Sequence, residues 1–306
     1  MNFELPVKST IAELQSHIGE AEKNYALWDE PHFDQRMETI DLLEFHVLDQ
    51  IEELQRTVHS DELRWLKHRA GKIKSALEEI NTSLFKKIRE QIRTGIRGAA
   101  FKKMIGAYTD IDLSYRDHME DPRYDNLDAL IDGIFPFQPM PEQTLDPEPE
   151  MVYYQKTPAR ILFELEEKLP VNMEDVFVDL GSGLGQPALL FHLLTGIKVI
   201  GVELDPAFCA YAANNVKALD LTNVEFVHGD ARMADYSTGT IFFMFTPFKG
   251  KILEQVLEKL KTESRQRKIK LFTYGPCTTE VARQKWLKNA DPDKTDIYKL
   301  TAFSGL

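Results

Sequence analysis

Val178-Asp179-Leu180-Gly181-Ser182-Gly183-Leu184-Gly185-Gln186 reads as an apolar strand that runs through three alternate glycines into a helix. Glycine is needed where a backbone must turn sharply or let a ligand approach closely. A purely structural turn also explains a lone glycine trio, so the neighbours decide. The spacing is G-x-G-x-G followed by Gln186, and not the G-x-G-x-x-G/A of dinucleotide enzymes.

Asp179 ends the strand beside this turn, where a carboxylate would repel a pyrophosphate but suit a ligand carrying an ammonium and a sulfonium. S-adenosylmethionine (SAM) is such a ligand. Glu203 closes the next strand, placed to accept both ribose hydroxyls; NAD would use the same acid. One strand later, Gly229-Asp230-Ala231 puts an acid where the adenine amino group would lie, or where a plain turn or helix cap would use it.

Outward from this segment, strand patterns alternate with helical ones. Strands are expected over 176–180, 199–203, 224–228, 241–245 and 269–274, with helices over 161–169, 187–195, 206–219 and 252–261. Alternation of this kind predicts an α/β fold: a Rossmann-like, doubly wound, mainly parallel sheet. Pro187 and Pro206 each fall just inside a helix start, where proline is favoured. After the last helix only one strand, 296–304, is evident, which predicts a shortened final hairpin.

The first hundred residues read instead as helices. Thr10 and Glu13 have capping-box spacing, and Ile40, Leu43, Val47, Ile51, Leu54 and Val58 repeat at three and four residues. Leu66, Ile73, Leu77, Ile80 and Leu84 form a third series, Ile88, Ile92 and Ile96 a fourth, and a break lies near residues 28–31. An all-α helical-bundle domain over 1–105 is therefore expected, then a proline-rich acidic linker or arm over 106–150 and the sheet domain over 151–306. Residues 130–137 are too apolar for free solvent and should pack on a flanking domain.

Charge is segregated. Residues 1–63 carry 4 Lys+Arg against 15 Asp+Glu, 64–103 carry 12 against 3, and 111–150 carry 2 against 11. The net charge of -12 argues against binding nucleic acid mainly through phosphate neutralisation. The basic stretch 64–103 either neutralises the acidic helices before it or presents Lys67, Lys72, Lys74, Lys86, Lys87, Arg89 and Arg93 to RNA or an acidic protein partner. No apolar run approaches the roughly 18 to 20 residues of a membrane span and no secretory pattern opens the chain, so a soluble cytoplasmic protein is expected. Cys209 and Cys277 lack a nearby second thiol, and the eight histidines lack metal-site spacing, so no metal is expected. Asp117-His118-Met119-Glu120-Asp121 reads as a solvated loop, and His228 as a hydrogen-bonded core histidine. Neither an acyl-transfer elbow nor a phosphate loop occurs.

The glycine motif resembles that of class I SAM-dependent methyltransferases, and most closely the non-SET histone lysine methyltransferases. The resemblance covers about residues 153–248. It implies that Tyr153-Tyr154-Gln155-Lys156-Thr157-Pro158 covers the methionine part of SAM, although Gln155 replaces the family's acid. It departs again after the fourth strand, where Thr246-Pro247-Phe248 replaces the family's asparagine.

The expected cofactor site is Tyr153, Thr157, Asp179, Gly181, Ser182, Gly183, Gly185, Gln186, Glu203, Asp230 and Ala231. Transfer is placed at Tyr154, Thr246, Pro247 and Phe248. The expected activity is methyl transfer to a nitrogen acceptor, a protein amine or amide being favoured over RNA or a small molecule. An NAD-linked oxidoreductase and a non-catalytic binding scaffold are the competing readings.

Overall fold

A computed structural model describes residues 4–113, 124–135, 139–290 and 296–305. It divides into two compact units, Met1–Ile88 with Met104–Asp110, and Arg89–Lys103 with Ile111–Leu306. The Asp117 to Asp121 loop lies outside the described residues, as do Pro136 and Phe137.

The first unit is helical. α1 (Glu4–Lys23) is followed by a 3-10 turn, Tyr25–Trp28, at the expected break. α2 (Phe33–Asp41), a π-helical stretch Leu42–Leu48 and α3 (Asp49–Gln55) then run on without interruption. α4 (Asp61–Arg93) has 33 residues. The apolar series of residues 66–84 and the Ile88 and Ile92 of the next, read as two helices, lie on this one helix, because nothing between them breaks the helical spacing, while Ile96 falls beyond its end. The stripes meet in a core that includes Leu14, Ile18, Leu43, Val47, Ile51, Leu66 and Leu77.

Arg36 is fully buried there. Its guanidinium donates to Asn81 Oδ1 (2.7 Å) and to the carbonyls of Leu27, Asp29 and Glu30, closing the break between the first two helices. The basic face of α4 also pairs within this unit: Lys67 with Glu52, Arg69 with Glu22, Lys74 with Glu44 and Lys87 with Glu30.

The second unit holds seven strands in the order β3-β2-β1-β4-β5-β7-β6. β1 (Val176–Leu180), β2 (Lys198–Glu203), β3 (Val224–His228), β4 (Ile241–Phe245) and β5 (Lys270–Tyr274) are parallel. The order reverses at β1, so the carboxyl ends of β1, β2 and β4 open a crevice where ligands bind in such sheets. The expected shortened hairpin is corrected: β6 (Leu287–Asn289) pairs with β7 (Thr301–Gly305), which is antiparallel to β5. Three residues are too few to register as a strand pattern.

The end of α4, most of α5 (Ala99–Ile105) and all of α6 (Asn126–Ile134) lie in the region read as tail of the bundle and linker, and group with the sheet unit. The last residues of α4 do so through Arg89, which donates to the Gly133 carbonyl, and Arg93, which donates to that of Ala218. α5 (Ala99–Ile105) continues the chain. α6 (Asn126–Ile134) begins with a capping box of Asp125 and Asp128 and buries Leu127, Leu130, Ile131 and Ile134 against α7 (Ala159–Lys168).

Candidate functional site

The glycine turn follows β1 and leads into α8 (Gln186–Thr195). Gly181, Gly183 and Gly185 have φ of 75°, 52° and 82°, the left-handed region that a side chain makes costly. Space forbids one as well. A Cβ on Gly181 would lie 2.3 Å from Pro247, and one on Gly183 2.4 Å from the Tyr154 ring.

These residues face a cavity of about 440 Å³ at the carboxyl edge of the sheet. Of the expected cofactor residues, Tyr153, Thr157, Asp179, Gly181, Ser182, Gly183, Glu203, Asp230 and Ala231 line it, as do Tyr154, Thr246, Pro247 and Phe248. Gly185 and Gln186 do not, which corrects their assignment. Gly185 is the N-cap of α8, where a Cβ would meet Phe226 and Ala212, and Gln186 is buried in the first turn of the helix.

Glu203 fixes the turn. One oxygen accepts from the Gly183 amide (2.7 Å) and the other from the Asp205 amide (2.8 Å). The Leu204 amide is a further donor to this carboxylate, which keeps acceptor capacity for a ligand. Burial pushes the Glu203 carboxyl up from its ordinary range, and these amide donors oppose it.

Asp179 is 2% exposed and its Oδ2 has no hydrogen-bond partner among the described residues. Burial, then the neighbouring Glu203, pushes this carboxyl up to about 8, with the Ala188 amide pulling the other way. The buried Ser182 Oγ also lacks a partner. A buried polar atom without a partner is costly, so these groups fit a ligand that brings positive charge and donors to the turn.

Asp230 departs from the expected role. Arg232 takes both its oxygens through its amide, Nε and Nη2, and the same guanidinium continues to Glu148 at 2.5 Å. Arg232 holds the Asp230 carboxyl below its ordinary value. About four lone-pair sites are thereby used, so an adenine amino group meets an acid already engaged. His228 is exposed and hydrogen-bonds the Leu204 carbonyl, which keeps its hydrogen bond but not its expected place in the core.

Beyond β4, Thr246 adopts a φ of 43°, unusual for a β-branched residue. Its hydroxyl donates to the Tyr274 carbonyl (3.1 Å) and accepts from the Cys277 amide (3.2 Å). The Pro247 carbonyl accepts from the Val152 amide (3.1 Å). The Thr246 hydroxyl and the Pro247 carbonyl thus both help to shape the loop. Phe248 belongs to the core, 5% exposed, while still facing the cavity. Tyr154 lies edge-on to Phe208 (5.5 Å), and burial pushes its phenol up, so it remains a hydroxyl donor.

Residues not anticipated also reach the cavity: Asp205, Phe208, Pro276, Cys277 and Glu280. Asp205-Pro206 is a helix-start signal, and Asp205 does cap α9 (Pro206–Ala218). Phe208 follows in the first turn of α9, while Pro276, Cys277 and Glu280 carry no local signal, since α11 (Cys277–Ala282) is only six residues long. No cluster that could hold a metal occurs among the described residues, and no helix among them is long and apolar enough to cross a membrane.

The family described as "Methyltransferase domain" matches residues 177–264. An uncharacterised protein of Methanocaldococcus jannaschii is 39% identical over 61 residues, 20% of this chain and 23% of that protein. A probable cobalt-precorrin-6B C(15)-methyltransferase (decarboxylating) of Sulfolobus acidocaldarius is 33% identical over 22% of this chain and 45% of its own length. The matches thus span less than half of either relative. Among solved structures, an RNA methyltransferase of Salinibacter ruber bound to S-adenosylhomocysteine has a TM-score of 0.40 at 22% identity, over 49% of this chain and 92% of that one. A SAM-dependent methyltransferase of Aquifex aeolicus gives 0.39 at 17%, over 49% and 93%. The family match runs from β1 to the end of α10 (Gly250–Ser264), within the sheet unit.

Proposed function

We propose that this chain transfers a methyl group from SAM to a nitrogen acceptor, with a protein amine or amide favoured over RNA or a small molecule. The observation that carries the reading is Asp179, a buried carboxylate with a partnerless oxygen, beside Glu203 at a glycine turn that opens on the cavity. The finer likeness of the motif to non-SET histone lysine methyltransferases supports a protein acceptor.

Glu203 would take the ribose hydroxyls on its remaining lone pairs, and Asp179 would face the cationic end. When bound, SAM supplies a methyl carbon already made electrophilic by its sulfonium. The chain then has to align a neutral nucleophile and keep water away. Met151, Phe245, Phe248 and Ile252 give the cavity an apolar wall for this. A free lysine has a pKa of about 10.4, and a dry wall of this kind lowers it towards the neutral, nucleophilic form. With Thr246 and Pro247 engaged elsewhere, that loop acts as a shaped floor and not as the hydrogen-bonding partner of the nitrogen.

The test is transfer of labelled methyl from SAM into cell lysate treated separately with protease and ribonuclease. Loss of labelled product only with protease is the expected result. Loss only with ribonuclease makes the acceptor RNA, survival of both makes it a small molecule, and absence of label in every fraction removes the activity.

A further inference from the structure

Residues 143–152 cross the cavity as one wall: Gln143, Leu145, Pro147, Met151 and Val152 all face it. Three attachments hold this strap. At its start, Asp205 accepts from the Thr144 amide (2.6 Å), the Thr144 hydroxyl (3.0 Å) and the Leu145 amide (2.9 Å). At its end it pairs with the loop beyond β4: the Val152 amide donates to Pro247, and the Lys249 amide to the Glu150 carbonyl. Glu150 Oε2 also accepts from the Ile252 amide (3.0 Å), in the first turn of α10 (Gly250–Ser264).

The middle attachment is of another kind. Glu148 is held by Arg232, the residue that holds Asp230. The Asp205 anchor is 3% exposed, whereas the Glu148 side chain is 50% exposed and that of Arg232 25%. An exposed ion pair is the weakest of the three and the one that salt screens. Pro147 and Pro149 flank Glu148, and neither has an amide hydrogen to donate. Between its ends the strap is therefore stiff and has few backbone ties.

We propose that residues 143–152 form a cofactor-retaining strap, and that Arg232 is its positioning residue, latching Glu148 to Asp230 at the rim of the cavity. Release of the latch opens the strap at its middle while its two ends stay fastened. The strap also connects the two ends of the site, since the loop that forms the methyl-transfer floor is fastened to it. The inference rests on the proposed function only for the identity of the ligand.

The test compares the full-length chain with Glu148→Gln and Glu148→Asp, and has two arms. In the first, S-adenosylhomocysteine dissociation is followed at low and high salt. The wild type is expected to release the ligand about three- to tenfold faster at high salt. Glu148→Gln should be fast at both, and Glu148→Asp should restore part of the salt dependence, which a merely structural role would not do. In the second arm, amide hydrogen exchange over 145–152 is followed without ligand, and Glu148→Gln should accelerate it. Slow, salt-sensitive release in Glu148→Gln, or unchanged exchange, overturns the strap. Failure of the wild type to bind S-adenosylhomocysteine removes the proposed function instead, and the ligand-free exchange still decides the latch.

Discussion

Asp179 links the chemistry of the cavity to pH. Its carboxyl, pushed up to about 8 by burial and by Glu203, keeps its proton in the ligand-free protein at neutral pH. A cationic ligand favours the ionised form, so binding below that value releases a proton and affinity rises with pH. Full coupling gives up to about tenfold per pH unit between pH 6 and 7.5. Titration calorimetry in buffers of different ionisation heat measures that proton directly, and Asp179→Asn should abolish its release. The sign for folding is opposite. The unfolded chain has already ionised this residue above about pH 4, so the folded state holds more protons and loses stability as pH rises towards 8. Thermal unfolding of ligand-free Asp179→Asn should therefore gain on the wild type as pH rises through that window.

Elements show what local pattern can and cannot reveal. β1, β2, β4, β5 and the glycine turn are legible because these strands are dense apolar runs, with Asp179 and Glu203 at the ends of β1 and β2, whereas β3 has no buried residue and is legible from the alternation around it. β6, at three residues, has no pattern of its own and appears only through pairing with β7. Arg232 and Arg36 are illegible for a different reason: beside nearby acceptors, each reaches one partner far away in the sequence, Glu148 and Asn81 respectively. The loop beyond β4 lies against the glycine turn, and its internal hydrogen bonds cannot be read from Thr246-Pro247-Phe248. Its role changes the choice of variant. Phe248→Ala should cost about 3 to 5 kcal/mol as a core truncation. Phe248→Leu should keep the fold, leave S-adenosylhomocysteine affinity near wild type and lower turnover at least tenfold, as steady-state assay with the identified acceptor would show. On the turn itself, Gly183→Ala should lower the thermal unfolding midpoint, since both its φ and the Tyr154 ring oppose a Cβ.

For the whole molecule, composition announced two kinds of structure, and their boundary falls earlier than the change in composition suggested. Charge marks the helical region up to about residue 103, but packing assigns residues 89–103 and α6 to the sheet unit. A truncation starting near residue 140 would strip Leu130, Ile131 and Ile134 from α7, and should fail to fold cooperatively in a thermal scan. One starting at residue 89 should retain S-adenosylhomocysteine affinity within about threefold. If the helical unit handles the acceptor, the second truncation loses transfer to it; full-rate transfer would give that unit another role. All seven basic side chains offered to a partner on 64–103 lie on α4, and three of them, Lys67, Lys74 and Lys87, pair with acids of their own unit. Neutralisation within the bundle is the use this pairing supports.

The most direct test is calorimetric titration of S-adenosylhomocysteine, with NADH in parallel, into the full-length chain and into Glu203→Ala. Glu203 tethers the Gly183 amide and keeps acceptor capacity for ribose, and hydrogen bonds to a charged group contribute about 1.5 to 3 kcal/mol. One site for S-adenosylhomocysteine is expected, weakened roughly 10- to 100-fold in Glu203→Ala, with no heat from NADH. Binding of NADH without S-adenosylhomocysteine, or an affinity for S-adenosylhomocysteine that Glu203→Ala leaves unchanged, would contradict the assignment of this cavity to SAM.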